Sequence, residues 1–237
     1  MKKIIIVILC LTYISCNHDV KPTLLSADEE YQRAYIYFEK GDYRKAIEFF
    51  SYFFNRHPGS EWVDDAQFYT SESYFRAGEY EEALPEFQFL IINFPNSEHV
   101  EVALLRKAQC LENMSPIAQR DQTVAKEALS VYEEFIIRYP YSRHLEEARE
   151  GVVRMQEKLN QKLLEIAEIY MKMGKNESAS IYLKEVIKKS SEWVDKAYLL
   201  LGDIYHRSNN DSLAIFYYKK VGGKFEREAK ERMTKIQ

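Results

Sequence analysis

A short motif returns four times along this chain, and this repetition constrains the fold more than any other feature. In every copy a serine stands six residues before an alanine with acidic residues between them, and in three copies a proline lies two residues before the serine. Proline ends a preceding helix, serine can serve as the N-cap of the next, and acidic residues favour the positive end of the helix dipole. We therefore predict that each copy begins a helix. The copies are Pro58–Ala66, Pro95–Ala103, Pro140–Ala148 and Ser191–Ala197.

A second spacing describes the interior of each repeat. A small residue stands twelve places before an alanine, a tyrosine follows the small residue by three places, and a glycine or asparagine turn lies between them. Small side chains at these places allow two helices to approach closely. The pattern resembles the tetratricopeptide repeat (TPR), a helix pair of about 34 residues. The pairs are Ala34 with Ala46, Ser71 with Ala83, Ala167 with Ala179, and Gly202 with Ala214.

The TPR resemblance implies an all-α fold. We expect an α-solenoid of about five TPR helix pairs over residues 26–222 and a C-terminal helix over residues 223–237. In the third unit, the two corresponding small residues lie more than twelve positions apart. This predicts a longer loop between the two helices of that unit. Residues 142–173 contain no proline and keep a helical apolar pattern, so we predict one long helix that begins the fourth unit. Gly151 is a place where this helix could bend.

The N-terminal segment differs in kind from the rest of the chain. Two lysines precede an uncharged apolar run that is shorter than the ~20 residues a membrane-spanning helix needs, which predicts a signal peptide over residues 1–15. Ser15 followed by Cys16 resembles the bacterial lipobox, in which the cysteine is acylated and the signal is cleaved before it. Tyr13 stands where that motif usually carries leucine. We predict a covalent lipid on Cys16 and a flexible, lipid-anchored spacer over residues 16–25. The alternative is an ordinary secretory signal with an incidental cysteine.

A lipobox cysteine joined to TPR units, with a long helix beginning the fourth unit, resembles the BamD family of outer-membrane lipoproteins. The recurrent aromatic-Pro-x-Ser junctions, as from Tyr139 to Ser142, support the same resemblance. It implies a lipid-anchored scaffold of the β-barrel assembly (Bam) complex at the outer membrane, facing the periplasm. It also implies two partners, a BamA-like β-barrel protein and unfolded outer-membrane proteins or their C-terminal peptides. The alternative is another periplasmic TPR lipoprotein, such as a secretin pilotin or a cell-division coordinator.

The resemblance points to two candidate binding surfaces. In TPR arrays the first helix of each unit lines the concave surface, where an aromatic groove would receive C-terminal aromatic peptides. The alternative is that these side chains only pack against their neighbours. The groove candidates are Tyr31, Tyr35, Phe38, Phe68, Glu72 and Phe75. On the C-terminal helix we expect contacts to the BamA-like partner, although surface charges are often only solvated. The candidates there are Lys224, Arg227, Lys230 and Arg232.

Composition and motifs argue against other functions. The net charge of -4 offers no concentrated basic surface for nucleic acid. The five histidines lack the spacing of a zinc site, no glycine-rich phosphate loop occurs, and paired acidic residues lie in predicted first turns of helices. We therefore expect a protein that is not an enzyme and that has no metal site and no cofactor beyond the lipid on Cys16. Cys110 lies in an apolar helical pattern and is expected to be a buried thiol.

Overall fold

The structure, a computed structural model, describes residues 25–115, 121–189 and 192–236. The predicted signal peptide, Cys16 and nearly all of the predicted spacer lie outside these residues. No helix in the described part of the chain is long and apolar enough to cross a membrane. The helices of this part are α1 (Ala27–Glu39), α2 (Tyr43–Arg56), α3 (Val63–Arg76), α4 (Tyr80–Asn93), α5 (Val100–Met114), α6 (Thr123–Arg138), α7 (Leu145–Lys172), α8 (Asn176–Lys188), α9 (Val194–Arg207), α10 (Asp211–Tyr218) and α11 (Glu226–Thr234), with a 3-10 turn at Gly223–Phe225.

The helices stack in sequential antiparallel pairs. Each helix packs mainly against the helix before it and the helix after it, which gives five pairs from α1 and α2 to α9 and α10. The last helix, α11, packs on α10 and closes the C-terminal end. The first helices of neighbouring units also touch, since α3 contacts α1 and α5, and α5 contacts α7. These helices therefore share one face, which we call the first-helix face. The predicted all-α solenoid is confirmed.

Among the described residues, one with a positive φ angle follows the first helix of the first, second, fourth and fifth units. Gly41, Gly78 and Gly174 have φ between 72° and 79°, and Asn209 has φ of 55°. Glycine adopts this left-handed conformation without steric cost, and asparagine tolerates it better than most residues. The next amide then donates to the carbonyl of a tyrosine five residues before it, at 2.9–3.0 Å in all four turns. These bonds form Schellman motifs, which end the first helices at the predicted turns.

Two glycines allow tyrosine rings to reach the helix backbone. A Cβ atom added at Gly202 would lie 2.3 Å from a ring carbon of Tyr218, and one added at Gly151 would lie 2.4 Å from the Cζ atom of Tyr132. Neither distance is compatible with a side chain. Gly151 therefore serves the close packing of α7 on α6, a role that the helical pattern alone does not indicate.

Three of the four repeated serines lie before the helices rather than at their N-caps, which corrects the sequence prediction, and the fourth, Ser191, lies outside the described residues. The hydroxyls of Ser60, Ser97 and Ser142 accept hydrogen bonds from the amide two residues further on, at 3.2, 3.3 and 2.9 Å. Serine favours such local turns because its hydroxyl competes for nearby backbone amides. Each helix then starts one residue after the donor. These donors, the N-cap residues, are Trp62, His99 and His144.

The predicted long helix of the fourth unit is confirmed as α7, which has 28 residues. Its N-terminal part contributes Met155 and Leu159 to a core that also contains residues of α5 and α6. Its C-terminal part contributes Leu164 and Met171 to a core shared with α8 and α9. One helix thus belongs to two successive cores.

Candidate functional site

The first-helix face contains all of the residues predicted to form the groove. They lie on α1 and α3, the first helices of units one and two. Tyr35 and Phe75 are partly exposed, so a peptide on this face can touch them. The other four candidates are less than a tenth exposed and offer little surface to a ligand. These four are Tyr31, Phe38, Phe68 and Glu72.

Much of the aromatic surface on α1 joins this helix to the second unit. Tyr31 stacks on Trp62 with ring centroids 5.0 Å apart. Tyr35 and Phe38 each meet Tyr69 edge to face, with centroids 4.9 Å apart. Aromatic pairs favour these geometries. The buried rings of Tyr31 and Phe38 therefore pack between units, and of the three groove candidates on α1 the partly exposed ring of Tyr35 is the one that a ligand can reach.

Glu72 is the centre of a charged cluster on the first-helix face. Its carboxylate accepts from Nε of Arg76 at 2.9 Å, and from Nε and Nη2 of Arg106 at 2.9 and 3.2 Å. The carboxylate is almost fully buried, whereas the Arg76 side chain is 47% exposed. Two guanidinium groups beside one carboxylate leave one positive charge uncompensated within the cluster. The exposed part of Arg76 can therefore attract an anion.

The same two arginines lie over aromatic rings. The guanidinium carbon of Arg76 is 4.7 Å from the ring centroid of Phe38, and that of Arg106 is 4.6 Å from the ring centroid of Phe75. Both distances are typical of cation–π contacts. The contacts follow one another in the order Phe38, Arg76, Glu72, Arg106 and Phe75, with residues from units one, two and three. We call these residues the arginine–aromatic row: Phe38, Arg76, Glu72, Arg106 and Phe75.

The arginine–aromatic row continues toward the fourth unit through hydrogen bonds. Nη1 of Arg106 donates to Oε1 of Gln109 at 2.7 Å, and Nε2 of Gln109 donates to Oε1 of Glu147 at 2.6 Å. One polar network therefore joins α3, α5 and α7. Sequence reasoning missed both arginines, although spacing could have indicated them. Arg76 follows Glu72 by four residues, one helical turn, and Arg106 follows it by 34, the repeat length.

A group of metal-ligating residue types lies where the second unit meets the third. Among the described residues, Asp65, Glu98 and His99 place ligand atoms within 4.8 Å of one another. Nε2 of His99 is 2.5 Å from Oδ1 of Asp65, and the imidazole stacks on Phe68 with centroids 4.1 Å apart. These contacts hold the start of α5 against α3, so the group has a structural explanation that needs no ion.

Comparison with known families decides what kind of protein this is. The sequence matches the family model described as YfiO, outer membrane lipoprotein, over residues 25–208. The chain belongs to the YfiO family, also called BamD. The predicted family and the predicted outer-membrane location are confirmed, and a structural, non-enzymatic role agrees with this family. No curated protein matches the chain significantly.

One solved structure supports the TPR-like fold of this YfiO-family chain. The TPR2AB domain of yeast Sti1, in a complex with pHSP90, is 14% identical and covers 89% of this chain and 83% of that chain, with a TM-score of 0.51. TPR proteins from Thermus thermophilus and Parabacteroides merdae are 14% and 17% identical. Each covers 89% of this chain and 98% of its own, with a TM-score of 0.40.

The four candidate partner-contact residues lie beyond the part of the chain that matches the YfiO family. Lys224 stands in the 3-10 turn before α11, and the Arg227 side chain on α11 is 93% exposed. Lys230 forms an ion pair within α11 at 2.5 Å. Arg232 instead donates to Asp203 and so fastens α11 to α9. Lys224, Arg227 and Lys230 are therefore exposed to a partner, with Arg227 paired to Glu231 of the same helix, whereas Arg232 is held by α9.

Proposed function

We propose that this YfiO-family chain is the lipid-anchored periplasmic scaffold of the Bam complex. In this proposal a covalent lipid on Cys16 holds the chain at the outer membrane. The arginine–aromatic row binds the C-terminal peptides of unfolded outer-membrane proteins, and Lys224 and Arg227 contact a BamA-like partner. The observation that carries the proposal is the half-exposed side chain of Arg76, whose guanidinium lies over the ring of Phe38 and beside the carboxylate of Glu72.

The chemistry of a C-terminal aromatic peptide fits this surface. Such a peptide ends in a carboxylate, which the uncompensated charge beside Glu72 attracts. Its aromatic side chain can stack on the partly exposed rings of Tyr35 and Phe75. Arg76 is already held by Glu72 and by the ring of Phe38. It therefore loses little conformational entropy when a ligand binds.

Replacement of Arg76 tests the peptide site. A charge-assisted hydrogen bond contributes about 1.5–3 kcal/mol, so we expect Arg76→Gln to weaken binding roughly 10- to 100-fold. The measurement is fluorescence anisotropy with a labelled peptide that ends in phenylalanine, in its free-acid and amidated forms. On the unmodified protein, the amidated peptide should bind more weakly than the free-acid peptide, by a factor similar to that caused by Arg76→Gln.

The matched control is Arg149→Gln, which removes an exposed arginine of α7 whose partner is Glu146. We expect no change in peptide affinity for this variant. Equal affinity of Arg76→Gln and the unmodified protein for the free-acid peptide would show that the row is not the peptide site.

A charge reversal tests the partner surface. We expect the double variant Lys224→Glu with Arg227→Glu to lose capture of the periplasmic domains of a BamA-like protein, since both side chains are exposed on the end that α11 closes. Lys188→Glu on α8 is the control, because this lysine is also exposed and has a local carboxylate partner. Loss of capture by the control alone, or unchanged capture by the double variant, would contradict this assignment.

The lipid anchor has its own test. Mass spectrometry of the protein from membranes should show an acylated N-terminal residue at Cys16, and Cys16→Ser should abolish the acylation. A mature protein that begins elsewhere and carries no lipid would support the ordinary secretory alternative.

A further inference from the structure

The two ends of the solenoid differ in how they are covered. At the C-terminal end α11 packs on α10, whereas among the described residues no helix precedes α1. On the side of the first unit away from α3, residues at helical spacing form one stripe on α1 and one on α2. We call them the end face: Arg33, Ile36, Tyr37, Lys40, Lys45, Phe49, Tyr52 and Arg56.

Rings and cations of the end face touch one another. Tyr37 and Phe49 stack with centroids 4.9 Å apart and planes 5° apart, and Phe49 also meets Tyr52 at 6.3 Å. The guanidinium of Arg33 lies 4.5 Å from the centroid of Phe49, and the ammonium of Lys45 lies 5.3 Å from that of Tyr37. The end face is therefore one continuous aromatic platform that carries positive charges.

Inside the solenoid, equivalent side chains have a preceding unit beside them and are exposed to a similar degree, since Phe89, which corresponds to Tyr52, is 41% exposed and Ile169, which corresponds to Ile36, is 56% exposed. Tyr205 and Tyr217 of the fifth unit stack at 5.3 Å and pack against the core formed with α7 and α8. The end face has no such neighbour among the described residues. Ile36 is 46% and Tyr52 49% exposed there, although solenoid ends usually present a polar surface to water.

The end face itself carries four basic residues and no acidic one, whereas the first unit as a whole, residues 26–57, has six acidic and five basic residues. Lys45 and Arg56 are paired with carboxylates. The other basic residues of α1, α2 and the turn between them form no ion pair with any described residue. These are Arg33, Lys40 and Arg44.

The end face also lies close in sequence to the proposed anchor. The chain from Cys16 to Leu25 spans at most roughly 30 Å when fully extended. We propose that the end face binds the anionic phospholipid headgroups of the membrane that holds the anchor, a proposal that rests on acylation of Cys16. Tyrosine rings suit the membrane interface, and lysine and arginine suit phosphate groups. The contact fixes the angle at which the solenoid leaves the membrane.

Thiol labelling of the acylated full-length protein tests this contact. Once the signal peptide is cleaved and Cys16 is acylated, Cys110 is the remaining cysteine, and burial raises the pKa of its thiol to about 12. We would introduce Ile36→Cys on the end face and, as the control, Ile137→Cys on α6, where the isoleucine is 79% exposed. Maleimide labelling is measured in detergent, on phosphatidylcholine vesicles, and on vesicles that contain phosphatidylglycerol.

The expected result is that labelling of the Ile36→Cys variant slows roughly tenfold on phosphatidylglycerol vesicles. Labelling of the Ile137→Cys variant should stay unchanged, and adding Arg33→Glu and Lys40→Glu to Ile36→Cys should restore fast labelling.

Four outcomes would overturn the proposal. The first two concern vesicles: unchanged labelling of Ile36→Cys, and equal slowing of Ile36→Cys and Ile137→Cys. The last two concern detergent, where labelling of Ile36→Cys could be slower than that of Ile137→Cys, either increasingly with protein concentration or equally at every concentration. The last two would identify a second copy and the chain's own N-terminal residues, respectively, as the occupant. Mass spectrometry of the same samples reports acylation separately, so loss of the anchor is distinguished from failure of the end face.

Discussion

Two tyrosine rings in this protein lie so close to glycine backbones that no side chain would fit there. Gly202 is one of the small residues that the repeat spacing identifies, and the ring of Tyr218 lies directly over it. Gly151 stands outside that spacing, so its partner Tyr132 on α6 could not be found from the sequence. A position that requires a small residue can thus be predicted where the repeat spacing is regular. It cannot be predicted from that spacing within the long helix α7.

Gly151→Ala provides a test in which two effects oppose each other. Alanine ordinarily stabilises a helix by about 1 kcal/mol relative to glycine. Here the added methyl would lie 2.4 Å from the ring of Tyr132, and we expect a net loss of about 2 kcal/mol in the free energy of unfolding. Urea unfolding measures this change. Gly59→Ala is the control, since nothing lies within 4 Å of its added Cβ, and a stabilised Gly151→Ala protein would contradict the close contact.

Helices α5, α6 and α7 are joined by one partly buried carboxylate. Glu112 on α5 accepts a hydrogen bond from the hydroxyl of Tyr132 and from Nε and Nη2 of Arg154, the latter two at 2.6 and 3.0 Å. Burial alone would raise the pKa of this carboxyl. The hydrogen bonds from Arg154 and Tyr132 outweigh that effect and lower the pKa below its ordinary value of 4.5.

The lowered pKa predicts how stability depends on pH. A group whose pKa is lowered by folding contributes stability above its unfolded-state pKa, and the contribution is lost as pH falls through the folded-state pKa. We therefore expect the destabilisation caused by Glu112→Gln to be largest near neutral pH and to shrink as pH falls below about 4.5. Chemical unfolding from pH 7 to pH 3 measures it. Glu146→Gln, which alters an exposed carboxylate on α7, should show no such trend.

Sequence patterns predicted where the helices lie better than they predicted which side chains are exposed on the first-helix face. Turn glycines and the alanine spacing depend on local geometry, so the helix pairs and α7 could be recognised from one sequence. The groove candidates required knowledge of which rings α3 would cover, and burial of Phe38 and Phe68 depends on contacts between units. The charged cluster at Glu72 joins α3 to α5, and only the stacking of units brings its two arginines together.

The solenoid as a whole is stabilised by contacts between adjacent units, and its C-terminal cap is a local addition. Ala229 of α11 is buried with Tyr218 and Val221 in the last core. Each unit of a repeat protein contacts only its neighbours, so loss of the cap should weaken the nearest unit most.

Ala229→Asp is expected to detach α11, because it places an unpaired charge in that core. Hydrogen exchange should show faster exchange in α9 and α10 and unchanged exchange in α1 to α6. Glu231→Asp, at an exposed position of the same helix, is the control. Faster exchange throughout the chain would contradict local coupling.

The helix α7 also determines how the third and fourth units act on each other. Because a single uninterrupted rod takes part in the core of α5 and α6 and in that of α8 and α9, the third and fourth units share no flexible joint. We therefore expect a movement imposed on the fourth unit to be passed to the third unit, which holds Arg106 of the arginine–aromatic row.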